Sequence, residues 1–199
     1  MHNAFRYASA WLACFALSLF ANIGHASSIT GVDGMSSTVM QHEQSSFSGL
    51  ALRVRMAPAP RVPGFEVMPG IEYWRNTTTV QIYDIRSQRR DATLGADARY
   101  RFPVRGWSPY VGAGFGIHFL SNGVRAPLLG VPLESHSIMK GGFAVLGGLN
   151  FPLAGAFDSF VEAKYHAVSD YEQLKLSWGL AYTFPKPATT ETTAPAQKR

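Results

Sequence analysis

Every second residue from Gln173 to Phe184 is apolar: Leu174, Leu176, Trp178, Leu180, Tyr182 and Phe184 alternate with Gln173, Lys175, Ser177, Gly179, Ala181 and Thr183. Side chains of a strand point to opposite faces in turn, so this stretch is a strand with one apolar and one polar face. The same two-residue period recurs through the chain in segments of roughly ten residues, each closed by turn residues. Leu50, Leu52, Val54 and Met56 alternate with Arg53 and Arg55. Phe65, Val67, Ile71 and Tyr73 alternate with Glu66 and Glu72 beyond the proline-rich APAPRVPG. A third strand is predicted at Thr78 to Arg86, where the faces separate less cleanly. The fourth holds Leu94, Ala96, Ala98, Tyr100 and Phe102 against Asp97, Arg99 and Arg101. The fifth is PYVGAGFGIHF, the sixth runs from about Ile138 to Asn150, the seventh is Phe157 to Ala167, and the opening stretch is the eighth. Helical periodicity is confined to the first residues.

Those first residues read as a secretory signal peptide. Arg6 is the only charge before an apolar run from Ala8 to Ile23, and Gly24-His25-Ala26 supplies small residues for cleavage after Ala26. The run is shorter than the roughly 20 apolar residues that a spanning helix needs. Cys14, the only cysteine, lies inside that run after Trp11, a context that argues against a lipoprotein site and leaves the mature chain without thiol chemistry. Residues 27–44 are polar and without period, and are read as a flexible leader. Residues 45–184 are read as the barrel. The Thr/Pro/Ala-rich residues 185–199 are read as a disordered tail. The chain carries a formal +5 charge, which falls to +4 once Arg6 is removed. The charge is spread along the sequence, which gives no support to nucleic-acid binding.

Eight strands of roughly ten residues match the about nine to eleven that a tilted crossing of a bilayer needs, and the sequence predicts an all-β fold, an eight-stranded antiparallel up-and-down transmembrane β-barrel. A soluble lipocalin-like barrel is the alternative; it would hide its apolar face inside. The predicted inner turns are RNTT, PVRGWS and FPLAGA, with Leu120 to Ser137 as the longest outer loop. Aromatics at the predicted periplasmic strand ends (Tyr73 and Trp74, Tyr100 and Phe102, Trp107 and Tyr110, Phe151 and Phe157, Tyr182 and Phe184) suggest the interfacial belt of a membrane barrel. GAGFG lies within an alternating strand with no helix after it, so its glycines are read as relieving crowding in a narrow interior rather than binding a dinucleotide.

PYVGAGFGIHFLSN, GGLNFPLAGAFDSFVEAKYH and a last strand ending in Tyr-x-Phe resemble the outer-membrane β-barrel families of Gram-negative bacteria, the small opacity-type and OmpA-like eight-stranded barrels. The resemblance implies residence in the cell outer membrane among its lipid and lipopolysaccharide. It also implies that the barrel-assembly machinery reads Trp178, Leu180, Tyr182 and Phe184 as an assembly signal. The aromatic usually closes the chain in such families, whereas here PKPATTETTAPAQKR follows.

The inward-facing charges Arg53, Arg55, Glu66, Glu72, Asp97, Arg99, Arg101, Glu162, Lys164 and Lys175 are predicted to pair as a network filling the lumen, with His118 and His166 among them. Glu134, His136 and Ser137 share the longest loop. His166 and Ser169, the nearest approach to a lipid A deacylase pair, stand three apart and so on opposite faces of a continuing strand. No motif calls for a catalytic group, a metal or a cofactor. The expectation is a structural, envelope-anchoring or surface-interaction protein acting through outer loops on an unidentified ligand; deacylase, small-solute porin and lipocalin-like ligand binder are the alternatives.

Overall fold

The computed structural model describes residues 28–41, 46–58, 62–80, 85–104, 106–126, 131–168 and 171–185. Eight antiparallel strands close into one barrel in chain order: β1 (Ser28–Gln41), β2 (Phe47–Ala57), β3 (Phe65–Val80), β4 (Ile85–Arg101), β5 (Ser108–Ala126), β6 (Val131–Ala154), β7 (Phe157–Val168) and β8 (Tyr171–Thr183). Closure is made by β1 against β8, in register from Gly31 opposite Thr183 to Gln41 opposite Gln173. With no free edge, the strand hydrogen bonds are satisfied within the sheet, the condition for a sheet to sit in hydrocarbon.

Side chains divide by the two-residue period. On β8, Leu174, Leu176, Trp178 and Leu180 point outward and are exposed, while Gln173, Lys175 and Ser177 are buried. The outer surface of the other strands is likewise apolar, with Leu50, Leu52, Ile71, Leu94, Val111, Phe143, Val145 and Val161 all exposed. This is the reverse of a lipocalin-like arrangement: the greasy face is outside and the charge is inside. Such a face is stable only against lipid.

Three expectations are corrected. The leader is no leader over Ser28–Gln41, which forms β1; its outward residues Gly34, Ser36 and Thr38 are small or polar, so the strand carries no hydrophobic alternation to read. The third predicted strand is not a strand of its own. Thr78 to Val80 end β3, Ile85 and Arg86 begin β4, and RNTT lies within β3 rather than in a turn. At that end of the hairpin Thr77, Thr78, Thr79 and Arg86 are all exposed, so alternation has nothing to sort. Most of the predicted loop Leu120 to Ser137 is also strand, the paired ends of β5 and β6. The predicted signal peptide, residues 1–26, and all of the tail after Pro185 lie outside the described residues.

Both described chain ends lie at one rim, where each of the three turns contains a glycine at positive φ: Gly64 (81°), Gly106 (84°) and Gly155 (60°). Around this rim Tyr100, Phe102, Trp107, Phe151, Phe157 and Phe184 are exposed, forming an aromatic girdle. Tyr100 meets Phe102 edge-on at 4.9 Å, and Tyr182 bridges Phe157 at 4.9 Å and Phe184 at 5.5 Å. Trp74 and Tyr110 do not join the girdle; they point into the lumen and are 2% and 1% exposed. Tyr73 faces outward but stands well along β3 from the rim. The long β3–β4 and β5–β6 hairpins project from the opposite end, the extracellular side of an outer-membrane barrel, which makes this rim the periplasmic one. At the opposite end β3 to β6, 16 to 24 residues long, outreach the 11 to 14 residues of the other four strands.

Leu180 stands on the lipid face four residues inward of Phe184. Leu180→Arg is expected to cost about 2–4 kcal/mol, and Phe184→Arg, at the interface, about 0–1. Urea unfolding of the refolded full-length chain in lipid vesicles, followed by heat-modifiable gel migration, measures both; equal costs would place Leu180 outside the hydrocarbon.

Candidate functional site: the ionic lumen

The barrel interior is a column of paired charges, built because the inward positions around the barrel carry ionisable side chains. Nearest the periplasmic rim, Arg99 Nε donates to Glu66 at 2.7 Å and Arg101 lies 3.1 Å from the same carboxylate. Asp33 on β1 takes Arg55 at 2.8 Å and stands 3.6 Å from Arg99. Arg99 also lies over the Tyr110 ring at 4.8 Å.

In the middle of the barrel, Arg53 grips Glu162 with both terminal nitrogens, at 2.9 and 2.7 Å, the bidentate geometry in which a guanidinium is strongest. Tyr110 donates its hydroxyl to the same carboxylate at 3.1 Å. Lys164 donates to Glu72 at 2.7 Å and to Asp97 at 2.9 Å, while Lys175 donates to the other oxygen of Glu72 at 2.5 Å. Glu72 thereby ties β3 to β7 and β8, and Arg53 at 3.6 Å adds β2. A cavity beside Arg53, Glu72, Asp97, Lys164 and His166 holds about 10 Å³, the lower limit for one water.

Above this layer His118 Nδ1 lies 2.8 Å from Asp91 and 2.9 Å from Thr93, and its Nε2 is 3.4 Å from His166 Nδ1. His166 Nε2 is 3.7 Å from Glu72, so the histidines continue the column. The outer end is closed by an apolar cluster of Val39, Trp74 and Leu120 with Phe47 against it, the Phe47 and Trp74 rings 4.6 Å apart.

The structure therefore gathers Arg53, Arg55, Glu66, Glu72, Asp97, Arg99, Arg101, Glu162, Lys164 and Lys175 into one network. It adds Asp33 and Asp91, which the alternation does not reveal. Asp33 is hidden because β1 reads as a leader. Asp91 sits beyond the predicted start of the fourth strand; the pairing of Asp91 with Leu120 and of Thr93 with His118 extends the inward row two steps further. Arg53, Arg55, Arg99, Arg101, Lys164 and Lys175 meet the carboxylates of Asp33, Glu66, Glu72, Asp97 and Glu162 along the column, and Asp91 meets His118. Two glycines of GAGFG let the strands and the column fit: a Cβ at Gly112 would collide with the Ala98 carbonyl oxygen, 2.5 Å away, and one at Gly114 would collide with the Asp97 carboxylate.

The remaining candidates do not converge. His136 and Ser137 are consecutive residues of β6, and Cα pairing sets them opposite Asn122 and Ser121. The Glu134 side chain lies outside the described set. His166 is 2% exposed and points into the lumen, away from lipid, and Ser169 lies outside the described residues. Among the described residues no group of three His, Cys, Asp or Glu side chains is placed to hold a metal.

Fold and interior together define a transmembrane β-barrel of the outer-membrane type. Solved structures with this fold include Neisserial surface protein A (NspA), 18% identical with a TM-score of 0.56 over 79% of this chain and 99% of that one. Ail, the attachment invasion locus protein of Yersinia pestis in complex with the heparin analogue sucrose octasulfate, is 17% identical with a TM-score of 0.55 over 80% and 99%. A major outer membrane protein from Thermus thermophilus is 12% identical with a TM-score of 0.55 over 78% and 99%. No family model and no curated protein sequence matches this chain.

Removing one member of a buried ion cluster strands its partners, at a cost of about 3–5 kcal/mol, whereas replacing the whole cluster by apolar groups of similar size is often neutral. Glu72→Gln is thus expected to lower the urea midpoint strongly, and the triple replacement Glu72→Leu, Lys164→Met, Lys175→Met to restore much of the loss. A Glu72→Gln midpoint at the wild-type value would remove Glu72 from its place as the hub.

Proposed function

We propose that the protein is a sealed outer-membrane barrel that works through its surfaces, as an envelope-anchoring and surface-interaction element, and is neither a conduit nor an enzyme. The observation that carries this reading is the filled lumen: bidentate and bridging ion pairs occupy the middle, and the Trp74 cluster packs toward the outer end. An eight-stranded barrel has room for little besides side chains in any case. A deacylase would need its nucleophile and base on the lipid side, and His166 is on the other.

What remains for interaction is the outer end, where the paired strands β3 to β6 extend beyond the rest of the wall. Ail was crystallised with a sulfated heparin analogue. In this chain Arg75, Arg86 and Arg90 stand exposed on the outward face of the extension of β3 and β4, a basic surface suited to anionic partners. We further propose that the barrel-assembly machinery reads the outward row Trp178, Leu180, Tyr182 and Phe184 of β8, the strand that makes closure with β1.

Planar bilayers containing the refolded protein are expected to show no steady conductance steps, and cells expressing it to retain every lipid A acyl chain. Discrete steps at neutral pH would overturn the sealed-lumen reading; loss of an acyl chain that His166→Ala abolishes would overturn the non-enzymatic one.

A further inference from the structure

Arg75 and Arg90 are direct cross-strand partners on the outward face of β3 and β4. Like charges set opposite each other destabilise a sheet unless an anion lies between them. No carboxylate pairs with either among the described residues, in contrast to the arginines of the lumen; Arg90 donates only to Gln88, at 2.8 Å.

One row toward the membrane centre, the outward residues are Leu50, Tyr73, Ala92 and Phe119 on four successive strands. Ala92 is small where its neighbours are large, so it floors a cleft walled by Tyr73 and Phe119. Two strand spacings separate those walls, about 10 Å, wide enough for an acyl chain. Leu52, Ile71 and Leu94 continue the apolar floor in the next row, and the open groove measures about 410 Å³.

The depth is right for a lipid with a charged head. Arg90 lies ten residues along β4 from Tyr100 of the periplasmic girdle. That is about 34 Å along the strand and about 25 Å along the membrane normal at the usual tilt, the height of the apolar band. The arginine pair therefore stands at the outer head-group level with the cleft directly beneath it.

We propose that Arg75, Arg90 and the cleft over Ala92 form a seat for one phosphorylated, acylated lipid of the outer leaflet. Its phosphate bridges the two guanidiniums and one acyl chain lies between Tyr73 and Phe119. Arginine is suited to this task because its planar fork meets phosphate oxygens two at a time. The seat names a partner for the outward surface proposed above and rests on the membrane placement, which heat-modifiable migration checks separately.

The test uses the full-length protein, refolded in neutral detergent and titrated with bisphosphorylated lipid A, its dephosphorylated counterpart or phosphatidylcholine, with bound lipid read by native mass spectrometry. The wild type should retain one bisphosphorylated lipid A in preference to both others. The double variant Arg75→Gln, Arg90→Gln should bind it at least about tenfold more weakly. Ala92→Phe, which fills the cleft and leaves both arginines, should weaken it as well, and Arg89→Gln should not. Equal retention of the dephosphorylated lipid, or wild-type retention by the double arginine variant, would overturn the phosphate bridge. Wild-type retention by a heat-modifiable Ala92→Phe protein would overturn the cleft.

Discussion

The cluster around Glu72 is the contact on which the rest of the barrel depends. One carboxylate accepts from Lys164 on β7 and Lys175 on β8 and stands near Arg53 on β2, so strands from opposite walls are tied through a single group on β3. Buried ion pairs add little net stability over apolar packing of the same shape, because desolvation offsets most of their attraction. Their consequence is specificity. A one-residue slip of any strand would turn its lumenal charges into lipid and its leucines into the ionic column, so the pairing register and the salt-bridge pattern enforce each other. Arg53 illustrates the coupling: it faces Glu162 across the lumen only because β2 holds Arg53 opposite Asp33 on β1.

That mutual enforcement explains which parts of the molecule could be read from the sequence. Where a strand has lipid on one side and charge on the other, the alternation is strong: β8, β7, and the inner parts of β3, β4 and β5 stand in the sequence almost as they stand in the barrel. The inward charges on those strands could be named in advance for the same reason. Where either solvent is missing, the signal fades. In β1, Gly34, Ser36 and Thr38 face outward and Met35 and Val39 inward, so polarity does not track the face although burial does. At the outer end of β3 and β4 both faces meet water, and the sequence reads as a turn followed by a weak strand where there is one long hairpin. Trp74 misleads for another reason. An aromatic near a predicted strand end fits a membrane belt, yet position 74 shares its face with Glu72, and the same period that assigns Glu72 to the lumen assigns Trp74 there too.

The interior changes character along its axis. From Glu66 to His118 it is ionic, and the next row sets Asp91 between Trp74 and Leu120, where the apolar cluster with Val39 begins. An ionic column alone would admit water whenever a lysine changed rotamer, since long side chains exchange partners readily. The apolar side chains at its outer end limit that exchange: a lysine that leaves Glu72 toward the outer end meets Trp74 and Leu120, with only Asp91 between them to receive it. The lid thereby raises the effective strength of the pairs beneath it, because attraction between charges grows as the surrounding dielectric falls.

On the reading proposed above, a filled lumen shifts the burden of function to the outside wall, and among the described residues two parts of that wall depart from uniform hydrophobicity. One is β1, with its small polar outward residues beside Leu50 and Trp178. The other is the arginine row above Ala92. The second is harder to account for by folding alone. Glutamine or threonine at positions 75 and 90 would keep the hairpin register without setting two positive charges opposite each other. A like-charged pair at head-group depth is unfavourable in isolation and becomes favourable once a multivalent anion spans it, and an acylated phospholipid or phosphorylated glycolipid of the leaflet at that depth offers phosphate and acyl chain together. The repulsion between Arg75 and Arg90 is therefore a local conflict in the sequence whose resolution lies in the lipid rather than in the protein.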